Sequence, residues 1–108
     1  ASGGEQFRDF CYVDDVSDGI LKTLTNDNVN GEIINIASGN PLAIREVIEM
    51  VQKNVNFGFP KFGQIPYRKG ENMILYADIS KSKRILNWLP KVSIEDGISR
   101  TIQSFINT

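Results

Sequence analysis

The sequence predicts a small α/β protein of about four helices and a few short strands. Three observations carry this. Apolar runs suited to extended chain alternate with helical periodicities. The run Ile33, Ile34, Ile36 is β-branched and bracketed by turn residues, which marks a strand. Ile44, Val47, Ile48, Val51 and Val55 repeat at i, i+3, i+4, i+7 and i+11, which marks an amphipathic helix.

In chain order, Phe7 to Val13 is the first candidate extended segment. Asp14 or Asp15 follows as an N-cap, since a carboxylate accepts the free amides of a first helical turn. Val16, Ile20, Leu21 and Leu24 place a helix from about Asp15 to Thr25. Asn26 to Gly31 is a polar turn, Glu32 to Ala37 the best strand, and Ser38-Gly39-Asn40-Pro41 a loop.

The amphipathic helix through Ile44 to Val55 comes next. Asn56 to Tyr67 holds two glycines and two prolines and reads as irregular, with one short strand near Gly63 to Tyr67. Arg68-Lys69-Gly70-Glu71 is a polar turn and Met73 to Tyr76 a short apolar stretch. Asp78 caps a helix through Ile79, Lys83 and Leu86, which ends at Asn87-Trp88-Leu89-Pro90. Ser93 and Asp96, three apart, approximate a capping box for a last helix striped by Ile94, Ile98, Ile102, Phe105 and Ile106.

The chain has 108 residues, 41% hydrophobic and 23% charged, which suits one soluble domain or part of a larger one. A formal net charge of −1 argues against nucleic acid or an anionic membrane as partner. No apolar run approaches the roughly 20 residues that span a bilayer, and the first residues lack the pattern of a secretory signal. Cys11 is the only cysteine, so no internal disulfide forms and a reducing, cytoplasmic setting fits.

Several chemistries lack their residues. There is no histidine, which removes His-based triads and leaves too few ligands for a zinc site. Gly3-Gly4 does not supply the Gly-x-Gly-x-x-Gly turn that lets backbone amides approach a pyrophosphate. No Tyr has a Lys four residues later: Val16, Glu71 and Ser80 follow Tyr12, Tyr67 and Tyr76 at that spacing. Cys11 sits in an apolar segment and reads as a small buried hydrophobe. The acid pairs Asp14-Asp15 and Glu95-Asp96 sit at helix starts, where capping explains them. No catalytic and no metal-ligating residue is expected in this chain.

Five stretches share one order and spacing with a known family. Arg8-Asp9-Phe10-Cys11-Tyr12-Val13-Asp14-Asp15-Val16 is the first, and Gly31-Glu32-Ile33-Ile34-Asn35-Ile36-Ala37-Ser38-Gly39 the second. Arg68-Lys69-Gly70-Glu71, Tyr76-Ala77-Asp78-Ile79-Ser80-Lys81-Ser82-Lys83 and Leu86-Asn87-Trp88-Leu89-Pro90 complete the set. Together they resemble the extended short-chain dehydrogenase/reductases, NAD-dependent nucleotide-sugar epimerases and dehydratases with a Rossmann-type fold.

The resemblance implies that residues 1–108 form the C-terminal, substrate-binding portion of such an enzyme. Its N-terminal NAD-binding domain, with the glycine-rich loop and the Tyr/Lys pair, is then missing. The intact parent would use NAD or NADP, and this chain alone would bind neither. The partner implied is a nucleoside-diphosphate sugar, oriented for redox chemistry at C4. Two other expectations stay open: a free-standing module for a phosphorylated ligand, or a self-associating fragment without ligand, since the strand Glu32 to Ala37 would have unpaired edges.

By resemblance, Arg8 and Arg68 contact the diphosphate, a role suited to a planar fork that grips two phosphate oxygens. The alternatives are a local ion pair with Asp9 or Asp14 for Arg8 and a solvated loop charge for Arg68. Glu71 stands where the family places an acid that accepts from ribose hydroxyls, and Gly70 lets the turn approach a ligand. Phe10 is expected in the core, and Phe57, Phe59 and Phe62 as a seal beneath a long loop. Trp88 and Pro90 are expected to pin the last helix, Asn35 to satisfy backbone beside Ser38-Gly39, and Lys69 and Lys81 to be solvated.

Overall fold

The computed structural model describes residues 1–106. It contains four helices and a two-stranded antiparallel sheet. Strand β1 is Phe7–Asp9 and helix α1 Val13–Leu24. A single 3₁₀ turn covers Asp27–Val29, then strand β2 is Pro41–Ala43 and helix α2 Ile44–Val55. Helices α3, Ser80–Leu86, and α4, Ile94–Ile106, complete the order.

Phe7, Arg8 and Asp9 pair with Ala43, Leu42 and Pro41. Proline is tolerated here because it opens an edge strand. The other side of β1 meets the apolar stretch anticipated at Met73 to Tyr76: Phe7 donates to the Met73 carbonyl at 2.7 Å and accepts from the Leu75 amide at 3.1 Å. β1 is thus the central rib of a small three-part ladder, much shorter than the Phe7–Val13 run expected.

The strand expected at Glu32–Ala37 does not form. A strand needs a ladder, and no strand or bridge pairs with this segment among the described residues. Its alternation survives in burial, with Ile34 and Ile36 half-buried and Ile33 85% exposed. Side chains hold it instead. Asn35 donates to the Asp78 carbonyl at 3.2 Å, and Lys81 pairs with Glu32 at 2.8 Å. Lys81 is therefore not merely solvated, and Asn35 satisfies a backbone carbonyl in the 77–79 segment that lies against Gly39. The short strand expected near Gly63–Tyr67 is likewise absent, with a turn at Gly63, a bend after it and irregular chain through Tyr67.

Asp14 and Asp15 lie inside the first turn of α1 rather than capping it, because the helix begins at Val13 and Tyr12 takes the cap position without a side-chain bond. Their charges still favour the positive end of the helix. Asp78 also sits one residue outside the cap of α3, yet its carboxylate accepts the Ser80 amide at 2.8 Å. That bond holds its pKa below the ordinary 3.8. At α4 the Ser93 hydroxyl accepts the Asp96 amide at 3.2 Å, as a capping residue should. α2 and α3 end at Asn56 and Asn87 in the left-handed conformation, a usual helix stop.

The core is small. Trp88 is fully buried and donates its indole N–H to the Asp15 carbonyl at 3.1 Å. Asp15, 5% exposed, accepts the Val92 amide at 3.0 Å. A Cβ placed on Gly19 would lie 3.3 Å from Trp88 and 2.9 Å from Ile36. Trp88 therefore ties the end of α3 to α1, and the Asp15 carboxylate ties the lead into α4 at Val92 to the same point of α1. α4 packs on α2. Among the described residues no helix is long and apolar enough to cross a membrane.

Candidate functional site

The turn expected at Arg68 to Glu71 forms, the Glu71 amide donating to the Arg68 carbonyl at 3.0 Å. Gly70 has a φ of +76°, a conformation that glycine adopts without strain, and no atom stands within 4 Å of a Cβ built there. The backbone angle alone selects glycine at this position.

The turn carries Glu71 against β1. One carboxylate oxygen accepts from Arg8 Nη2 at 3.0 Å, and the other from Arg68 Nε at 3.2 Å. Arg8 also donates through Nη1 to the Phe7 carbonyl at 2.8 Å. All three expected site residues thus meet in one cluster, although Arg8 and Glu71 lie 63 residues apart. Two guanidinium cations and one carboxylate leave it a net charge of +1. The side chains of Arg8 and Glu71 are 23% and 11% exposed, that of Arg68 88%. Arg8 is partly desolvated and oriented, while the Arg68 pair is screened by water and weak.

Arg8 does not pair with Asp9 or Asp14. Asp9 has other work, which the sequence did not disclose. One of its oxygens accepts the Ser38 amide at 2.8 Å and the Ser38 hydroxyl at 2.6 Å. The other accepts the Gly39 amide at 2.9 Å and the Ala77 amide at 3.3 Å. Burial acts to raise the pKa of Asp9, but the Ser38 hydroxyl and the three backbone amides together outweigh it, leaving the carboxyl below its ordinary 3.8. Asp9 therefore ties β1, the Ser38-Gly39 loop and the approach to α3 into one frame. The signal in the sequence was the co-occurrence of an acid, a Ser-Gly loop and an Ala-Asp start, without anything to say that they meet.

Arg8 faces a cleft of about 400 Å³ lined by Arg8, Asp9, Asn35, Leu75, Tyr76 and Ala77. This falls in the size range of small-molecule sites, with one guanidinium, one carboxylate and an amide among largely apolar walls. A larger groove of about 530 Å³ runs between α2 and α4, lined by Phe10, Cys11, Val47, Val51, Ile98 and Ile102 among others. Among the described residues no charged side chain lines it, whereas the smaller cleft has the Arg8 guanidinium to offer an anionic group. Phe10 lines this groove half-buried rather than sitting in a closed core. Burial, aided by the charges of Asp15 and Asp9, pushes the Cys11 thiol above its ordinary 9.0, which suits a packing residue and not a nucleophile.

Arg45 is a second residue without a sequence signal. Its guanidinium donates to the Gly3 carbonyl at 3.2 and 3.0 Å and stacks 3.9 Å above the Phe62 ring. Phe57 and Phe59, by contrast, are 78% and 90% exposed and seal no core; they follow the C-terminal end of α2, beside Gln52, Lys53 and Asn56. Gly3 and Gly4 abut Tyr67 and Arg45, where an added Cβ would stand 2.9 and 3.0 Å from the nearest atom. They are packed against protein and open no helix, so they do not fit the pyrophosphate of a dinucleotide. Among the described residues no group of three or more acids or cysteines is placed to hold a metal ion.

Residues 2–101 match the family model described as GDP-mannose 4,6 dehydratase. A UDP-glucuronate 4-epimerase of Thermodesulfobacterium geofontis is 38% identical over 92% of this chain and 30% of its own length. Among solved structures, the UDP-glucose 4-epimerase of Thermotoga maritima with UDP-glucose superposes with a TM-score of 0.85, at 30% identity over 96% of this chain and 33% of that one. The UDP-glucuronic acid 4-epimerase of Bacillus cereus, in complex with UDP-glucuronic acid and NAD, gives 0.81 at 32% identity over 96% of this chain and 34% of that one. The chain spans about a third of the length of the relatives that it matches.

Proposed function

The chain belongs to the GDP-mannose 4,6 dehydratase family, and on that premise we propose that it is the substrate-binding portion of an NAD-dependent nucleotide-sugar epimerase or dehydratase. The observation that carries the proposal is the Arg8–Glu71–Arg68 cluster beside the Arg8 cleft. Two arginines drawn together from distant parts of the chain suit a diphosphate, whose paired oxygens accept from guanidinium forks. Glu71 accepts from the ribose hydroxyls. The ligands of two solved relatives, UDP-glucose and UDP-glucuronic acid with NAD, are of this class.

In this reading the chain supplies binding energy and orientation. Asp9 holds the wall of the cleft, and Arg8 fixes the diphosphate so that the sugar is presented for oxidation and reduction at C4. NAD supplies the hydride chemistry when bound, and no residue of this chain is assigned to hold it.

Isothermal titration of the full chain with UDP tests the proposal. We expect saturable binding that is roughly 10- to 100-fold weaker in Arg8→Ala, as loss of a charge-assisted contact of about 1.5–3 kcal/mol requires. Wild-type chain that takes up no UDP, or an Arg8→Ala variant that binds it equally well, would overturn it.

The exposed apolar face of α1, with Leu21 62% and Leu24 75% exposed, favours a second reading in which the isolated chain also self-associates.

A further inference from the structure

The turn that carries Arg68 and Glu71 hangs between two anchors on one neighbouring segment. After it, backbone bonds join Met73 and Leu75 to Phe7. Before it, the Tyr67 hydroxyl accepts the Glu5 amide at 2.9 Å, and the Ile65 amide donates to the Ala1 carbonyl at 2.9 Å. Residues 68–72 thus bulge out between attachments to Glu5 and Phe7, which have only Gln6 between them. Arg8 follows Phe7 directly, so the segment that anchors the loop also carries the other arginine. We propose that Tyr67 is a positioning residue: by holding Glu5, its hydroxyl sets where Arg68 stands relative to Arg8. The inference rests on the reading of these arginines as diphosphate contacts, and adds a residue that touches no ligand itself.

Arg68 depends on such an anchor. Its side chain is 88% exposed, and its bond to Glu71, through Nε alone, is screened by water. Its position is therefore inherited from the backbone, and the residue before it is Tyr67. The receiving side is held firmly. Arg45 donates twice to the Gly3 carbonyl, its amide donates to the Gly4 carbonyl at 2.8 Å, and the Ile44 amide donates to the Gln6 carbonyl at 2.9 Å. Glu5 lies inside this clasped run. Gly3, moreover, leaves room for the hydroxyl. It is not among the glycines of positive φ, and a Cβ there would stand 2.9 Å from Tyr67 Oη. Space, not backbone angle, selects glycine at that position.

A diphosphate is gripped by two guanidinium forks only when their separation suits its paired phosphates. Groups already fixed at that separation bind tighter, because less freedom is lost on binding. Freeing the loop at Tyr67 therefore weakens a ligand that bridges both arginines. It spares a ligand with one phosphate, which engages one fork at a time.

Amide-resonance titrations of the full chain, which read affinities into the millimolar range, test this with UDP and UMP. The variant is Tyr67→Phe, which keeps the ring and loses the hydroxyl. We expect it to bind UDP roughly fivefold weaker than the wild type, and UMP to change by less than about twofold. Gly3→Ala crowds the hydroxyl from the other side and should behave alike. The double variant should lose no more than either single one, since both break one contact. Three results overturn the inference and leave the broader reading intact: UDP bound as tightly by Tyr67→Phe, UDP and UMP weakened by the same factor, or losses that add in the double variant. Equal weakening would mark a merely structural role. A wild-type chain that takes up no UDP overturns the broader reading, and this inference with it.

Should Tyr67→Phe fail to fold, Gly3→Ala decides by the same comparison of UDP with UMP.

Discussion

Arg8 and Asp9 are neighbours on β1, and only Arg8 drew attention in the sequence. Arg8 stood out because a resemblance assigned it a phosphate, and the structure brings it to Glu71 and Arg68. Asp9 offered only a nearby charge. Its four donors come from Ser38, Gly39 and Ala77, which approach it only through the fold. Replacing Asp9 by Asn removes the charge and turns an NH₂ group toward donors, at a cost of about 3 kcal/mol. Urea unfolding measures this, and a loss below about 1 kcal/mol would contradict the role assigned to it. The pH dependence follows in sign. The carboxyl of Asp9 is held below 3.8 in the folded chain, so its stabilisation is present above that value and lost as pH falls below it toward the lower folded pKa. Asp9→Asn should flatten that acid limb of the stability curve. Arg45 gave no signal either, since its partners Gly3 and Phe62 are chosen by tertiary packing.

At the scale of elements, helices were easier to read than strands. The stripe of α2 and the Ser93 cap of α4 are local patterns, and both elements lie where those patterns put them. Glu32–Ala37 has strand composition, but a strand is a relation between two segments, and composition says nothing about a partner. β2 went unread for the converse reason: Pro41-Leu42-Ala43 has little strand propensity and pairs because β1 lies beside it. The same dependence on neighbours governs Gly19 in α1. Alanine there would gain about 1 kcal/mol of helix propensity in isolation. Its Cβ would stand 2.9 Å from Ile36 and 3.3 Å from Trp88, however, and overpacking of that kind costs about 1–3 kcal/mol. We expect Gly19→Ala to lower the midpoint of thermal unfolding; a raised midpoint would show that Ile36 yields freely and that the α1–Trp88 contact is loose.

The whole molecule is flat and open. It measures 48 × 39 × 18 Å with a radius of gyration of 16.3 Å, whereas a domain of this length would come to about 13 Å. Its accessible surface is 7682 Å², against roughly 6,000 Å² for a monomer of this mass. Much of the excess is apolar, including Ile20, Leu21 and Leu24 on α1, and Ile33. No count of hydrophobic residues discloses this, because composition was ordinary and only the fold shows how few are covered. Exposed apolar surface of this kind predicts concentration-dependent association in solution, reduced in the double variant Leu21→Lys, Leu24→Lys. Sedimentation velocity checks it, and a wild-type chain monomeric at high concentration would count against it. The central claim is that Arg8, Arg68 and Glu71 form a nucleotide-sugar site. It is tested most directly by following backbone and guanidinium resonances of the full chain as UDP-glucose is added. We expect saturable shifts concentrated at Arg8, Arg68 and Glu71 and at the walls of the Arg8 cleft. No shifts, or shifts confined to the apolar groove between α2 and α4, would contradict the claim.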